Sequence, residues 1–331
     1  MKYRRLGKSD ILVSEIGFGA WTIGLNWWGK KIEDQEAIKM LNKAYDLGIT
    51  FYDTADIYGK GKSEKLIGET FKNNRNEVIY SSKWGYDIYN GEQVGHSELP
   101  QKHNKSFLCY ALDQSLDRLQ TDYLDVYSLH NPKMAAIQDA SLFASMDYLK
   151  NAGKFRSYGV ALGPAIGWEE EGRLSMKDRN VTCLQTVYNI LEQDPGNTFL
   201  RDGEKHDVGI LARVPDASGV LTGKVNQNTV FDKDDHRSSR RRDWIIEALE
   251  KVRNLMSIAD AKGWSLTELA IKFILSQKQI SVILPTMTSV EEIEMFANFS
   301  DGNYLTSLDL KNIFDMYSNN FYANQSTSSK L

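Results

Sequence analysis

"LGITFYDTADIYG", residues 47–59, decides how the rest of the chain is read. LGIT has the composition of a helix exit running into a strand, and the apolar lead-in of Phe51 and Tyr52 ends abruptly in Asp53. Asp56, Tyr58 and the turn glycine Gly59 follow at once. A carboxylate at the end of a buried strand is costly unless a nearby group compensates it. A partner for Asp53 is therefore expected from another part of the chain.

Working outward, the same helix-to-strand alternation recurs. Before the segment, 2–6 and 11–15 flank the turn residues GKSD and read as a β-hairpin, and 16–20 reads as a buried strand. Ala37, Ile38, Leu41 and Ala44 recur at helical spacing within 34–47. After it, strands are predicted at 78–83, 124–130, 155–162, 181–189, 208–215 and 280–286, with helices at 63–72, 105–119, 141–151 and on both sides of the last strand. Alternating apolar strands and helices imply a parallel sheet covered by helices. Eight such units with no composition break predict an α/β (β/α)8 TIM barrel with an N-terminal β-hairpin, one domain over 1–331, with a polar tail at 319–331 expected to fray.

Bulk properties exclude several classes. The 331 residues carry 41% hydrophobic and 25% charged residues, ordinary for a globular protein, and a net charge of −4 leaves no basic footprint for nucleic acid. The basic run at 236–244 is local. Cys109 and Cys183 give neither a disulfide framework nor a metal spacing, and both read as small buried apolar residues. The N-terminus lacks the apolar core of a signal peptide, and no apolar run spans a bilayer, so a cytoplasmic protein acting on small molecules is expected.

In a barrel, function gathers at the C-terminal ends of the strands. Three consecutive strands here end in Asp53, Lys83 and His130, and Tyr58 lies five residues past the first. A phenol is a poor acid near neutrality, with an unperturbed pKa of ~10. An adjacent ammonium favours its release of a proton, a carboxylate keeps that ammonium charged, and an imidazole orients a carbonyl oxygen. The set suits proton donation to a developing alkoxide, and it lacks a nucleophile with its own base. Two other motifs fail: GFGAWTIG has Thr22 where a dinucleotide fingerprint needs glycine, and DIYGKGKS has Asp56 where a phosphate loop needs one.

With "DTADIYG", "SEKLIG", "SSKWG" and "SLDRLQTDYLDVYSLH" in order, the chain resembles the aldo-keto reductases, and most of all the branch containing relatives of potassium-channel β-subunits. The resemblance implies a reductase of aldehydes or ketones in which Tyr58 is the general acid, Asp53 and Lys83 tune it, and His130 directs the substrate carbonyl. It implies NADPH, with NADH possible, extended across the rim over Gly19, Ala20, Trp21, Asp53, Gln185, Arg213, Ser218, Thr286 and Thr288.

Departures from the family stand at both ends of that cofactor. Ala161 and Leu162 replace the serine and asparagine that usually hold the carboxamide, leaving Gln185. Arg213 occupies the place of a stacking ring, where it either stacks or, as is favoured here, enters a structural ion pair. No Arg or Lys follows the last strand to hold a 2′-phosphate, Glu291 and Glu292 lie close behind, and the cluster 237–242 supplies that charge only if its loop folds over the cofactor. Trp21, Trp27, Trp28, Trp84 and Trp168 fall in predicted rim loops, where they either line a substrate pocket or pack the loops. The alternative function is a low-turnover redox sensor or regulatory subunit that binds the same cofactor.

Overall fold

The computed structural model describes residues 1–26, 28–91, 98–163, 167–233 and 235–323. Strands β1 (Tyr3–Arg5) and β2 (Leu12–Ser14) form the antiparallel N-terminal hairpin. β3 (Phe18–Gly19), β4 (Phe51–Asp53), β5 (Ile79–Trp84), β6 (Leu124–His130), β7 (Phe155–Ala161), β8 (Cys183–Val187), β9 (Gly209–Arg213) and β10 (Ile280–Leu284) form one eight-stranded parallel sheet in sequential order. A parallel bridge between Ile16 and Ile283 brings the last strand beside the first. The sheet thus curls into a (β/α)8 TIM barrel.

The helices are α1 (Trp21–Gly24), α2 (Asp34–Asp46), α3 (Lys62–Phe71), α4 (Lys105–Arg118), α5 (Met134–Gln138) and α6 (Ala140–Asn151). They continue with α7 (Glu169–Asp178), α8 (Gly196–His206), α9 (Arg242–Lys262), α10 (Leu266–Leu275), α11 (Val290–Asn298) and α12 (Ser307–Ser318). Local chemistry explains their limits. α2 buries Ala37, Met40, Leu41 and Ala44 along one face, with Asp34 and Glu36 in the first turn where the helix dipole favours acids. The Ser265 hydroxyl accepts from the Glu268 amide to start α10, and the Asn104 side chain caps α4 in the same way. The sequence pattern passes over α7 and α8. The latter contains Gly196 and Gly203, residues of poor helix propensity.

One end of the barrel is plugged. Leu6, Ile11 and Val13 of the hairpin segment join Phe51, Val126, Cys183, Leu211 and Val282 in one buried cluster. Arg4 locks the hairpin down by donating to Glu15 and to the carbonyls of Leu275, Gln277 and Ile280. The hairpin thus covers the end of the barrel at which the strands begin.

Two expectations change. The tail expected to fray from 319 is packed through 323, where Phe321 is buried and its carbonyl accepts from Asn254; 324–331 lie outside the described residues. Trp84 closes β5 instead of opening a loop, and it is wholly buried against Tyr127 and Phe107. Trp84 therefore lines no pocket, and Trp27 lies outside the described residues.

Candidate active site

The ends of β4, β5 and β6 carry Asp53, Lys83 and His130 to one rim. Tyr58 reaches the same point from the turn after β4. That turn passes so close to α1 that a Cβ on Gly24 would lie 2.9 Å from the Tyr58 backbone, and Gly59 has a left-handed φ of +62°. Glycine at both positions is what lets the turn pack flat.

Lys83 Nζ donates to Asp53 Oδ2 at 2.6 Å, to the Thr54 carbonyl at 2.7 Å and to Tyr58 Oη at 3.4 Å. The expected partner of Asp53 is thus Lys83. Ser81 Oγ donates to Asp53 Oδ1 at 3.0 Å and Gln185 Nε2 to Oδ2 at 3.2 Å, so the carboxylate is held on three sides. Burial works against the Lys83 ammonium, but the charges of Asp53 and Tyr58 outweigh it and raise its pKa. The lysine is therefore charged at neutral pH and points one of its protons at the phenol.

His130 sits edge-on to Tyr58, with ring centroids 5.9 Å apart, and edge-on to Tyr86 at 5.3 Å. Burial, reinforced by the positive charges of Lys83 and Arg213, holds its pKa well below the ordinary value. A neutral imidazole can donate one hydrogen bond but carries no acidic imidazolium proton. Asp56, the second acid of the opening segment, is fully buried with both carboxylate oxygens unpartnered. Burial and the neighbouring Glu64 push its pKa well above the usual carboxylate range.

A model of the aldo/keto reductase family matches residues 15–314. The chain belongs to the aldo/keto reductase family. It is 30% identical over 323 residues to aldo-keto reductase YhdN of Bacillus subtilis, covering 95% of this chain and 92% of that protein. It is 29% identical over 309 residues, 89% of each chain, to a probable voltage-gated potassium channel subunit beta of Arabidopsis thaliana. Among solved structures, aldo-keto reductase AKR11C1 from Bacillus halodurans in its holo form superposes with a TM-score of 0.77 at 25% identity, covering 96% of both chains. As an aldo-keto reductase the protein is an NAD(P)H-dependent oxidoreductase.

The residues available to seat a dinucleotide line the same rim. Gly19 ends β3, the Ala20 amide donates to the Asp53 carbonyl at 2.8 Å, and the Ala20 carbonyl accepts from Ser63. Trp21 opens α1 and meets Trp28 edge-on at 5.4 Å and His236 at 6.5 Å. Thr286 is half-buried just past β10. Thr288 is committed to Glu292, whose Oε2 accepts from its amide at 2.9 Å and its hydroxyl at 3.0 Å. Sequence reasoning missed two cations here. Lys30 Nζ donates to the Thr288 carbonyl at 2.9 Å, and Lys224 lies 3.8 Å from Glu292. Nothing in the spacing of the chain signals them, because both come from loops remote from residue 288.

Arg213 corrects the expected ion pair. Its Nη2 donates to the carbonyl of Leu162 at 2.6 Å and to that of Gly163, while among the described residues no carboxylate pairs with it and its Nε has no partner. Leu162 and Gly163 follow the end of β7, and Arg213 at the end of β9, two strands away, has the reach to cap their carbonyls. The cluster 237–242 also differs from a solvated loop. Arg237 pairs with Asp235 and lies between the rings of Trp28 and Phe231, 4.5 Å from each. Arg240 pairs with Glu192 and donates to Ser218 Oγ at 3.0 Å. The loop does fold over the rim, but these two charges are engaged by the protein itself, and α9 begins at Arg242, one residue before the expected start.

Proposed function

We propose that the protein reduces a small aldehyde or ketone to the alcohol, with Tyr58 as general acid. The observation that carries this reading is the position of Lys83 Nζ between Asp53 Oδ2 and Tyr58 Oη, 2.6 and 3.4 Å away. The bound dinucleotide supplies the hydride to the carbonyl carbon. Tyr58 then gives its proton to the oxygen as negative charge develops there, the Lys83 ammonium stabilises the phenolate left behind, and Asp53 holds the ammonium in place. Neutral His130 donates a hydrogen bond that fixes the carbonyl oxygen beside Tyr58.

Gln185 and Arg213 hold the nicotinamide end, and Gly19, Ala20, Trp21, Ser218, Thr286 and Thr288 the remainder. The donor set fits a dinucleotide: the unpartnered Arg213 Nε offers a proton at the end where Ala161 and Leu162 offer no side-chain polar atom. NADPH is the expected carrier, with NADH accepted, since Glu292 opposes a 2′-phosphate while Lys224 and Lys30, the latter shared with Glu36, favour it. The whole chain acts as one unit in the cytoplasm.

Consumption of NADPH with 4-nitrobenzaldehyde tests the reading. Turnover lost in Tyr58→Phe supports it. Tight dinucleotide binding with no turnover on any activated aldehyde replaces it by a binding subunit, the alternative kept alive by Ala161 and Leu162.

A further inference from the structure

Arg213 takes no part in the proton transfer proposed above, and its charge is left over once the proton-transfer set is assembled. It ends β9, reaches across β8 and caps the Leu162 and Gly163 carbonyls at the end of β7, so its guanidinium bridges one side of the barrel mouth above Gln185. Its charge is felt by Tyr58, Asp53 and Tyr86, and it acts on His130 in turn. Four carboxylates of the described residues that could serve it lie with other cations. Asp53 is neutralised by Lys83, Glu192 by Arg240 and Asp235 by Arg237, and Glu98 lies 3.6 Å from Lys133. Asp216, three residues on, is coupled to Arg237 and Glu292 rather than to Arg213. Burial disfavours the charged guanidinium, but an arginine does not give up its proton in a protein. Among the described residues, then, the Arg213 guanidinium has no carboxylate partner and is bonded only to backbone carbonyls.

We propose that Arg213 sets the redox-state selectivity of the cofactor seat, holding the reduced dinucleotide and repelling the oxidised one. This rests on the carbonyl-reductase reading above. The carbon that gives up hydride has to stand within van der Waals reach of a carbonyl whose oxygen is hydrogen-bonded to Tyr58. The carbonyls that Arg213 caps follow Ala161, which pairs with His130 on one side and Gln185 on the other, and Gln185 reaches Asp53, so the guanidinium is close to that ring as well. The ring is neutral when reduced and cationic when oxidised, so a fixed cation beside it discriminates between the two by Coulomb repulsion in a partly desolvated mouth. The same charge favours the negative oxygen that forms as hydride arrives. The repulsion hastens loss of the spent cofactor, and the favoured oxygen lowers the barrier to hydride transfer. Arg213 is in this account a specificity-determining residue, distinct from the proton-transfer set.

Equilibrium titration by tryptophan fluorescence quenching tests it without any turnover. Dissociation constants are measured for NADPH, NADP+ and the ring-free fragment 2′-phospho-ADP-ribose. Wild-type protein is expected to bind NADPH at least ~10-fold more tightly than NADP+, with NADP+ no tighter than the fragment. Arg213→Gln should shrink the NADPH/NADP+ ratio by about tenfold, chiefly by tightening NADP+, and Arg213→Lys should keep most of it. An unchanged ratio in Arg213→Gln overturns the proposal. If that variant fails to fold, the wild-type series decides: NADP+ binding more tightly than the fragment overturns it equally. Failure of all three ligands to bind sinks the reductase reading itself, a result distinct from binding without discrimination.

Discussion

Gln185 Nε2 donates to Asp53 Oδ2 at 3.2 Å, joining the residue that faces the cofactor seat to the carboxylate that holds the proton-transfer lysine. The amide has thereby spent a donor on Asp53, and in the proposed function its carbonyl oxygen is what remains for the nicotinamide carboxamide. Gln185→Leu removes both contacts at once. A neutral hydrogen bond is worth about 0.5–1.5 kcal/mol and one to a charged group about 1.5–3. The cofactor dissociation constant is expected to rise by about 2–10-fold, with kcat falling as well because Asp53 loses one of its three partners. Titration alongside steady-state kinetics checks both; a change in neither separates Gln185 from the site.

Tyr58→Phe keeps the ring that meets His130 and deletes the proton. Removal of a general acid typically costs ~10²–10⁴-fold, so kcat should fall by that factor with cofactor binding intact. Full activity of the variant on unactivated ketones would rule out the assignment.

Lys83→Met tests the lysine as a structural as well as a chemical element. Lys83 and Asp53 are both almost wholly buried, and removing one member of a buried pair strands the other charge at a cost of about 3–5 kcal/mol. The single variant should unfold at clearly lower denaturant. Lys83→Met with Asp53→Leu should recover much of that loss while remaining inactive, which urea unfolding and activity assays read separately.

Asp216 offers a pH-dependent test of stability. Burial raises its pKa from 3.8 to about 6, and its Oδ1 has no partner. An acid whose pKa is higher in the folded state binds more protons there, so stability falls as pH rises from 3.8 towards 6 and the penalty is complete above that. The shift corresponds to about 3 kcal/mol at most. Asp216→Asn should raise the melting temperature at pH 7.5 and give little gain at pH 4. An equal gain at both values would assign the effect to something other than the carboxylate.

At the adenosine end, Thr288→Arg with Glu292→Gln removes the acid now bonded to Thr288 and supplies a guanidinium in its place. The preference for NADPH over NADH should increase by at least ~10-fold in paired titrations, since a bidentate arginine suits a phosphate. No change would mean that the 2′-phosphate lies elsewhere on the rim.

Much of this fold was legible in the chain because barrel strands repeat one pattern: an apolar run buried on both faces, then a turn. Phe51–Asp53, Leu124–His130 and Ile280–Leu284 are of that kind, and each runs where the apolar pattern puts it. Trp84 was misplaced because a tryptophan followed by glycine resembles a loop, whereas the strand simply continues one residue further. Helix α8 was missed for the opposite reason, its two glycines outweighing a single buried face.

The sequence by itself determined the parallel barrel and the residue types at the ends of its strands, because burial periodicity and turn chemistry are local properties of the chain. It also determined that Ala161 and Leu162 lack side-chain polar atoms. Only the tertiary structure decided which charges are spent and which are free. Arg213, expected in an ion pair, caps two carbonyls instead, Arg237 and Arg240 turn back onto Asp235 and Glu192, and Lys30 arrives at Thr288 from a distant loop. Except for Arg237 and Asp235, these contacts join residues far apart in the chain, and the closed barrel with its packed loops sets the distances between them.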